Sequence, residues 1–98
     1  MKTIEKKILP KYFYEVAVGM KTFELRKDED DVRKDDILLL KEWDGCKYTG
    51  KIIEARVTYV LKNCPEYGLM DGYCIIGIKD VHPSVYVLDI DELRKEST

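Results

Sequence analysis

The run from Lys51 to Lys62 restricts the folds open to this chain more than any other stretch. Ile53, Ala55, Val57, Tyr59 and Leu61 alternate with Glu54, Arg56 and Thr58, a period of two that sets one strand face on a core and the other in water. An ordinary strand has about five or six residues, and this pattern is much longer. A chain of 98 residues has room for one small core, so a strand of this length must bend around it. The expectation is a curled sheet.

Other segments supply further strands and one helix. Residues 2–9 mix Lys and Glu with Ile4, Ile8 and Leu9 and read as a first strand with a charged outer face. Pro10 suits the first position of a helix, where its missing N–H is not needed. Tyr12, Phe13, Val16 and Ala17 follow at helical spacing, and Gly19 is a natural left-handed terminator. A strand over 22–27 comes directly after. Ile37 to Leu40 is a continuous apolar run, expected to be a central strand extending to Trp43, with a hairpin at Asp44-Gly45 and a loop over 46–50. After a turn-rich loop at 63–72, Tyr73 to Ile78 reads as another strand, in which Gly77 permits a bulge or a close backbone approach. His82-Pro83 reads as a loop before a short strand over 84–88, with Asp89 or Asp91 capping a last helical turn. The fold class is therefore α+β: one domain over residues 1–98, a small curled β-barrel of five to six strands with the main helix after the first strand.

Charge and cysteine usage narrow the function classes. The net charge of -2 does not by itself favour nucleic acid, but it is unevenly spread. Residues 1–27 hold seven bases against three acids, and residues 28–36 hold six acids against two bases. A basic amino-terminal face is thus compatible with an acidic whole. The acidic run Asp28-Glu29-Asp30-Asp31 reads as a solvated loop, with a divalent-metal site as its alternative. Cys46, Cys64 and Cys74 lie in no CxxC or Cys/His pattern, so no metal site and no cofactor are expected, and reduced thiols fit a cytoplasmic location. The cysteines have no evident base partner for thiol catalysis. No apolar run is long enough to span a membrane, so no membrane partner is expected, and the start is too charged for a signal peptide.

The candidate site is Gly19-Met20-Lys21-Thr22-Phe23-Glu24-Leu25-Arg26. Read with period two, Phe23 and Leu25 anchor the strand, while Thr22, Glu24 and Arg26 share the other face with Lys21 at the turn. Lys21 and Arg26 offer donors for phosphate or a base carbonyl, and Arg26 can bind two oxygens at once. Glu24 can accept from an exocyclic amine or, with its pKa raised by burial, serve as a general base. The bland alternative is an exposed Glu24–Arg26 pair of little energetic weight.

The spacing Gly19, Lys21, Glu24, Arg26 resembles the GxKxxExR signature of ASCH domains in the PUA-like superfamily. Ile8 to Phe13, Asp36 to Asp44, Tyr48-Thr49-Gly50, Val57 to Leu61 and Gly68 to Tyr73 are also similar to a group of small, uncharacterised ASCH-like proteins of bacteria and their phages. The resemblance covers roughly residues 4–79. It implies a PUA-like barrel whose cleft beside the helix handles RNA or modified nucleosides, with Lys21, Glu24 and Arg26 lining it. Members of the group usually carry a histidine near the position of Ile4. Relatives that are amidohydrolases for acetylated cytidine carry a threonine at the position of Glu24.

The leading expectation is an RNA- or nucleotide-binding domain with Lys21, Thr22, Glu24 and Arg26 at the ligand. An enzyme is the alternative, a hydrolase of a modified nucleoside or of RNA in which Lys21 and Glu24 do the chemistry. A protein-interaction module using the acidic block or the 63–72 loop is a third. Trp43 and Tyr48 are candidates to stack a base, with hairpin closure and core filling as their structural alternatives, and Tyr67 and Tyr73 are weaker ones. His82 is assigned no role.

Overall fold

The structure, a computed structural model, describes residues 1–85. Its elements are β1 (Thr3–Ile8), α1 (Pro10–Ala17), β2 (Phe23–Lys27), β3 (Ile37–Trp43), β4 (Tyr48–Leu61) and β5 (Tyr73–Val85), with a single 3-10 turn at Pro65–Tyr67. The five strands form one curled, half-barrel sheet in the order β1-β3-β4-β5-β2. β1 pairs with β3 in parallel, and every other pairing is antiparallel. Helix α1 follows the first strand and lies against β3 and β5, with Phe13 and Val16 in the core. Pro10 opens it, and Gly19 ends it with a φ of 84°, where only glycine is unstrained. Leu38, Leu40, Ile53, Val57, Ile76 and Cys74 fill the sheet's inner face around Val16.

The long central strand curls by breaking its own alternation. Ile53, Ala55 and Val57 are buried as the pattern requires, but Tyr59 and Leu61 are exposed. The register explains this: Val57 faces Ile78 and Tyr59 faces Gly77, so Thr58 is an extra residue and the faces exchange beyond it. Val60, not Tyr59, then packs on the core. Gly77 provides the room, because a Cβ there would stand 2.6 Å from Thr58 Oγ1. A second irregularity sets Asp80 and Val81 opposite Ala55, with Asp80 at a φ of 53°.

Two expected boundaries and one expected face differ from those found. β4 begins at Tyr48 instead of after a loop, because Asp44 Oδ1 accepts from the amides of Cys46 and Lys47 and completes the turn early, so that Trp43 pairs with Tyr48. β5 runs unbroken through His82-Pro83, where a loop was expected. β2 covers β5 only from Tyr73 to Gly77, so beyond that point β4 is the one sheet neighbour of β5 among the described residues, and the proline costs no second ladder there. Ser84 and Val85 belong to this same strand, while the expected strand residues 86–88 and the last helical turn lie outside the described residues. The third difference, on β2, concerns the site and is taken up there.

The loop between β2 and β3 is bound down by charge. Asp28 pairs with Lys62 at 3.1 Å, Asp30 with Lys6, and Asp31 with Arg33 at 2.8 Å, while Val32 is buried in the core. The acidic run is thus the exposed loop expected, with Asp28, Asp30 and Asp31 ion-paired within it. Asp36, also buried, accepts from the amides of Lys2 (3.0 Å) and Arg33 (2.8 Å) and faces the Lys2 ammonium at 3.1 Å. Burial alone would raise its pKa, but these donors outweigh burial and hold it down at about 2, against an ordinary 3.8.

Two predictions follow from this packing. Because the folded-state pKa of Asp36 is depressed, its contribution is full above about pH 4 and is lost as pH falls through about 2. Urea denaturation should show Asp36→Asn less stable at pH 7, by on the order of 1–2 kcal/mol, with the gap closing below pH 4; a gap constant with pH would refute the linkage. Gly77→Ala should cost about 1–2 kcal/mol by overpacking. Adding Thr58→Ala should recover at least half of that loss, and strictly additive effects would show that the two residues do not collide.

Candidate functional site

β2 presents the opposite face to the one its apolar residues suggest. Phe23 and Leu25, expected as anchors, are exposed, and Glu24 is buried at 2% exposure. The cause lies in the sheet order. β2 is an edge strand whose inner face meets the space beside α1, and that space is filled by a carboxylate held between two cations. Arg26 donates from Nε (3.1 Å) and Nη2 (2.6 Å) to Glu24 Oε1. Lys21 donates to Glu24 Oε2 and, at 2.8 Å, to the carbonyl of Phe23. Both carboxylate oxygens are thereby satisfied, which a buried charge requires.

The three groups line a cleft of about 490 Å³. One wall is the end of β1 and the start of α1, through Lys7, Ile8, Leu9 and Tyr12; the other is β2 from Phe23 to Arg26. The cleft thus occupies the seam between the two edge strands. The Lys21 ammonium stands 5.4 Å from the Tyr12 ring centre and 5.0 Å from that of Phe23, between two exposed aromatic faces.

Donor bookkeeping defines what the site can hold. An ammonium has three N–H donors and a guanidinium five. Lys21 spends donors on Phe23 and Glu24, and Arg26 spends its Nε–H and one Nη2–H on Glu24. The remainder, most of it on Arg26, suits an anionic oxygen.

Of the residues singled out in the sequence, Lys21, Glu24 and Arg26 come together, and Thr22 does not join them. Thr22 is exposed and absent from the cleft walls, and its carbonyl accepts from the Ile78 amide at 3.0 Å. Trp43 and Tyr48 also lie outside the cleft. They pack edge to face at 5.0 Å, closing the β3–β4 hairpin, and the Lys7 ammonium covers the Trp43 ring at 4.0 Å. Tyr67 is exposed, and Tyr73 is half-buried beside Leu25. Lys7 and Tyr12 were missed as site residues. Tyr12 reads in the sequence as part of the apolar helix stripe, yet it is exposed at the cleft beside Lys21. Cys74 is buried, and that burial, aided by Asp28, pushes its thiol pKa up, so the thiol stays protonated.

Comparison with known proteins places this geometry in a family. Residues 3–78 match the family described as "Domain of unknown function (DUF3850)". The chain belongs to this family. It is also 41% identical over 56 residues to the "Uncharacterized 12.9 kDa protein in GpA 3'region" of Escherichia phage P2, a match covering 57% of this chain and 51% of that protein. The chain thus spans about half the length of the curated relative it matches. The DUF3850 match runs from β1 to the middle of β5 and so includes both walls of the cleft. Among the described residues, no helix is long and apolar enough to cross a membrane.

Glu24→Ala would leave two largely shielded cations unpaired. Its cost should be about 2–4 kcal/mol, below the roughly 3–5 of a fully buried pair because Lys21 and Arg26 keep some access to water. Denaturant midpoints measure this, and a change under about 1 kcal/mol, the range of an exposed pair, would show that the carboxylate is not locked as described.

Proposed function

We propose that this DUF3850 domain is an ASCH/PUA-like binding module whose cleft takes single-stranded RNA or a nucleotide. The observation that carries the reading is the clamp at Glu24. A carboxylate with both oxygens occupied positions Lys21 and Arg26, and their remaining donors suit a phosphate or base oxygen. Tyr12 and Phe23, exposed on either side of Lys21, supply stacking surfaces of the kind that hold unpaired bases. The signature spacing from Gly19 to Arg26 supports the same family reading. Glu24 serves here as a positioning residue, which favours binding over a hydrolysis that would need the carboxylate as a free base.

Titration of labelled single-stranded RNA at two salt concentrations tests the proposal. Binding at low salt should weaken steeply as salt rises, since phosphate contacts release counterions. Tyr12→Ala, at an exposed position, should lower affinity by about tenfold with the fold intact, on the scale of one lost base–aromatic stack. Absence of binding at low salt would overturn the proposal.

A further inference from the structure

The outer face of the sheet carries an apolar patch that shares Phe23 and Leu25 with the cleft and extends well beyond it. Register places Leu25, Ile75 and Leu61 side by side across β2, β5 and β4, and sets Phe23 and Tyr59 on either side of Gly77. Met70 adds to its margin, where a shallow recess of about 210 Å³ opens beside Leu25 and Tyr73. Phe23, Leu25, Tyr59, Leu61 and Met70 are 45%, 56%, 64%, 38% and 69% exposed. The bulge at Thr58 is what turns Tyr59 and Leu61 to this side. A regular strand would have kept both on the inner face.

We infer that this face is the contact between two copies of the chain in a symmetric dimer. At roughly 150–250 Å² for a large side chain, those exposures leave on the order of 500 Å² of apolar surface in one patch, near the upper end for a monomer. Two such patches together bury about 1,000 Å², the lower bound of a specific interface. A two-fold axis sets the same patch against itself, so the surface must complement its own chemistry. Its centre does: the five side chains are uncharged, and the cations beside it, Lys27 two residues after Leu25 on β2 and Lys21 against the Phe23 ring, belong to its rim. The net charge of -2 also gives little repulsion between copies. The patch combines raised rings, Phe23 and Tyr59, with the recess beside Leu25, so each copy offers a projection and a socket.

Sedimentation equilibrium of the full chain over a wide concentration range tests this. The expected result is reversible association between 11.5 kDa and twice that mass. Tyr59→Glu and Met70→Glu change strongly exposed positions outside the cleft, so each should keep the native circular dichroism spectrum while weakening association at least about tenfold. A chain that stays monomeric at all concentrations overturns the inference, whether residues 86–98 or another protein cover the face. So does a dimer that both variants leave unchanged. RNA binding is read separately, on Tyr12→Ala, because Phe23 belongs to both surfaces whereas Tyr12 lies only at the cleft.

Discussion

β1 and β2 stand at opposite ends of the sheet order, so among the described residues each leaves one side of its backbone without a strand partner. In a closed barrel these edges would zip together. Here α1 lies between them instead, and the seam stays partly open as the cleft. Everything distinctive about the site follows from this. One wall is the end of β1 with the start of α1, the other is β2, and its polar groups occupy space that further pairing would have removed. The Lys21 bond to the Phe23 carbonyl shows the same constraint, with a side chain serving a backbone acceptor of an edge strand.

A carboxylate at the bottom of such a seam costs desolvation energy, which only close cations can offset. Glu24 has two, bound through different oxygens, and this fixes the direction of both cationic side chains. Preset cations lose less side-chain freedom when a ligand arrives than free surface lysines would. The β2–β3 loop uses the same principle for structure, with Lys6 of β1 and Lys62, just past the end of β4, pairing with its acids. Charge in this small domain therefore acts inside the architecture as well as on its surface, in keeping with its high proportion of charged residues.

Much of the fold is legible in the chain's periodicities. The helix from Pro10, the apolar β3 and the curled course of β4 all follow from local pattern, and Gly77 marks the close approach that lets β4 change faces. What pattern could not reveal are the places where a long-range pairing reverses it. Phe23 and Leu25 look like anchors because they are apolar, yet the edge position of β2 turns Glu24 inward. Tyr59 and Leu61 look like core until Thr58 is seen to be unpaired. His82-Pro83 looks like a break because prolines end interior strands, and nothing local says that β5 has lost one neighbour by that point. The site shows the same division: Lys21, Glu24 and Arg26 were visible through their spacing, whereas Lys7 comes from a strand that joins the cleft only in three dimensions.

The strand order also governs when the cleft can exist. β1 and β2 are only fourteen residues apart along the chain, from Ile8 to Phe23, yet neither pairs with the other. The sheet partner of β2 is Tyr73 to Gly77, far downstream. A nascent chain emerging amino-terminus first can pair β1 with β3 once about residue 43 has been made, but cannot dock β2 until Tyr73 to Gly77 has emerged. A fragment that stops before β5 leaves β2, with Glu24 and Arg26, no strand to dock on. Assembly of the cleft thus depends on the length of chain synthesised, although every residue that lines it lies within the first 26.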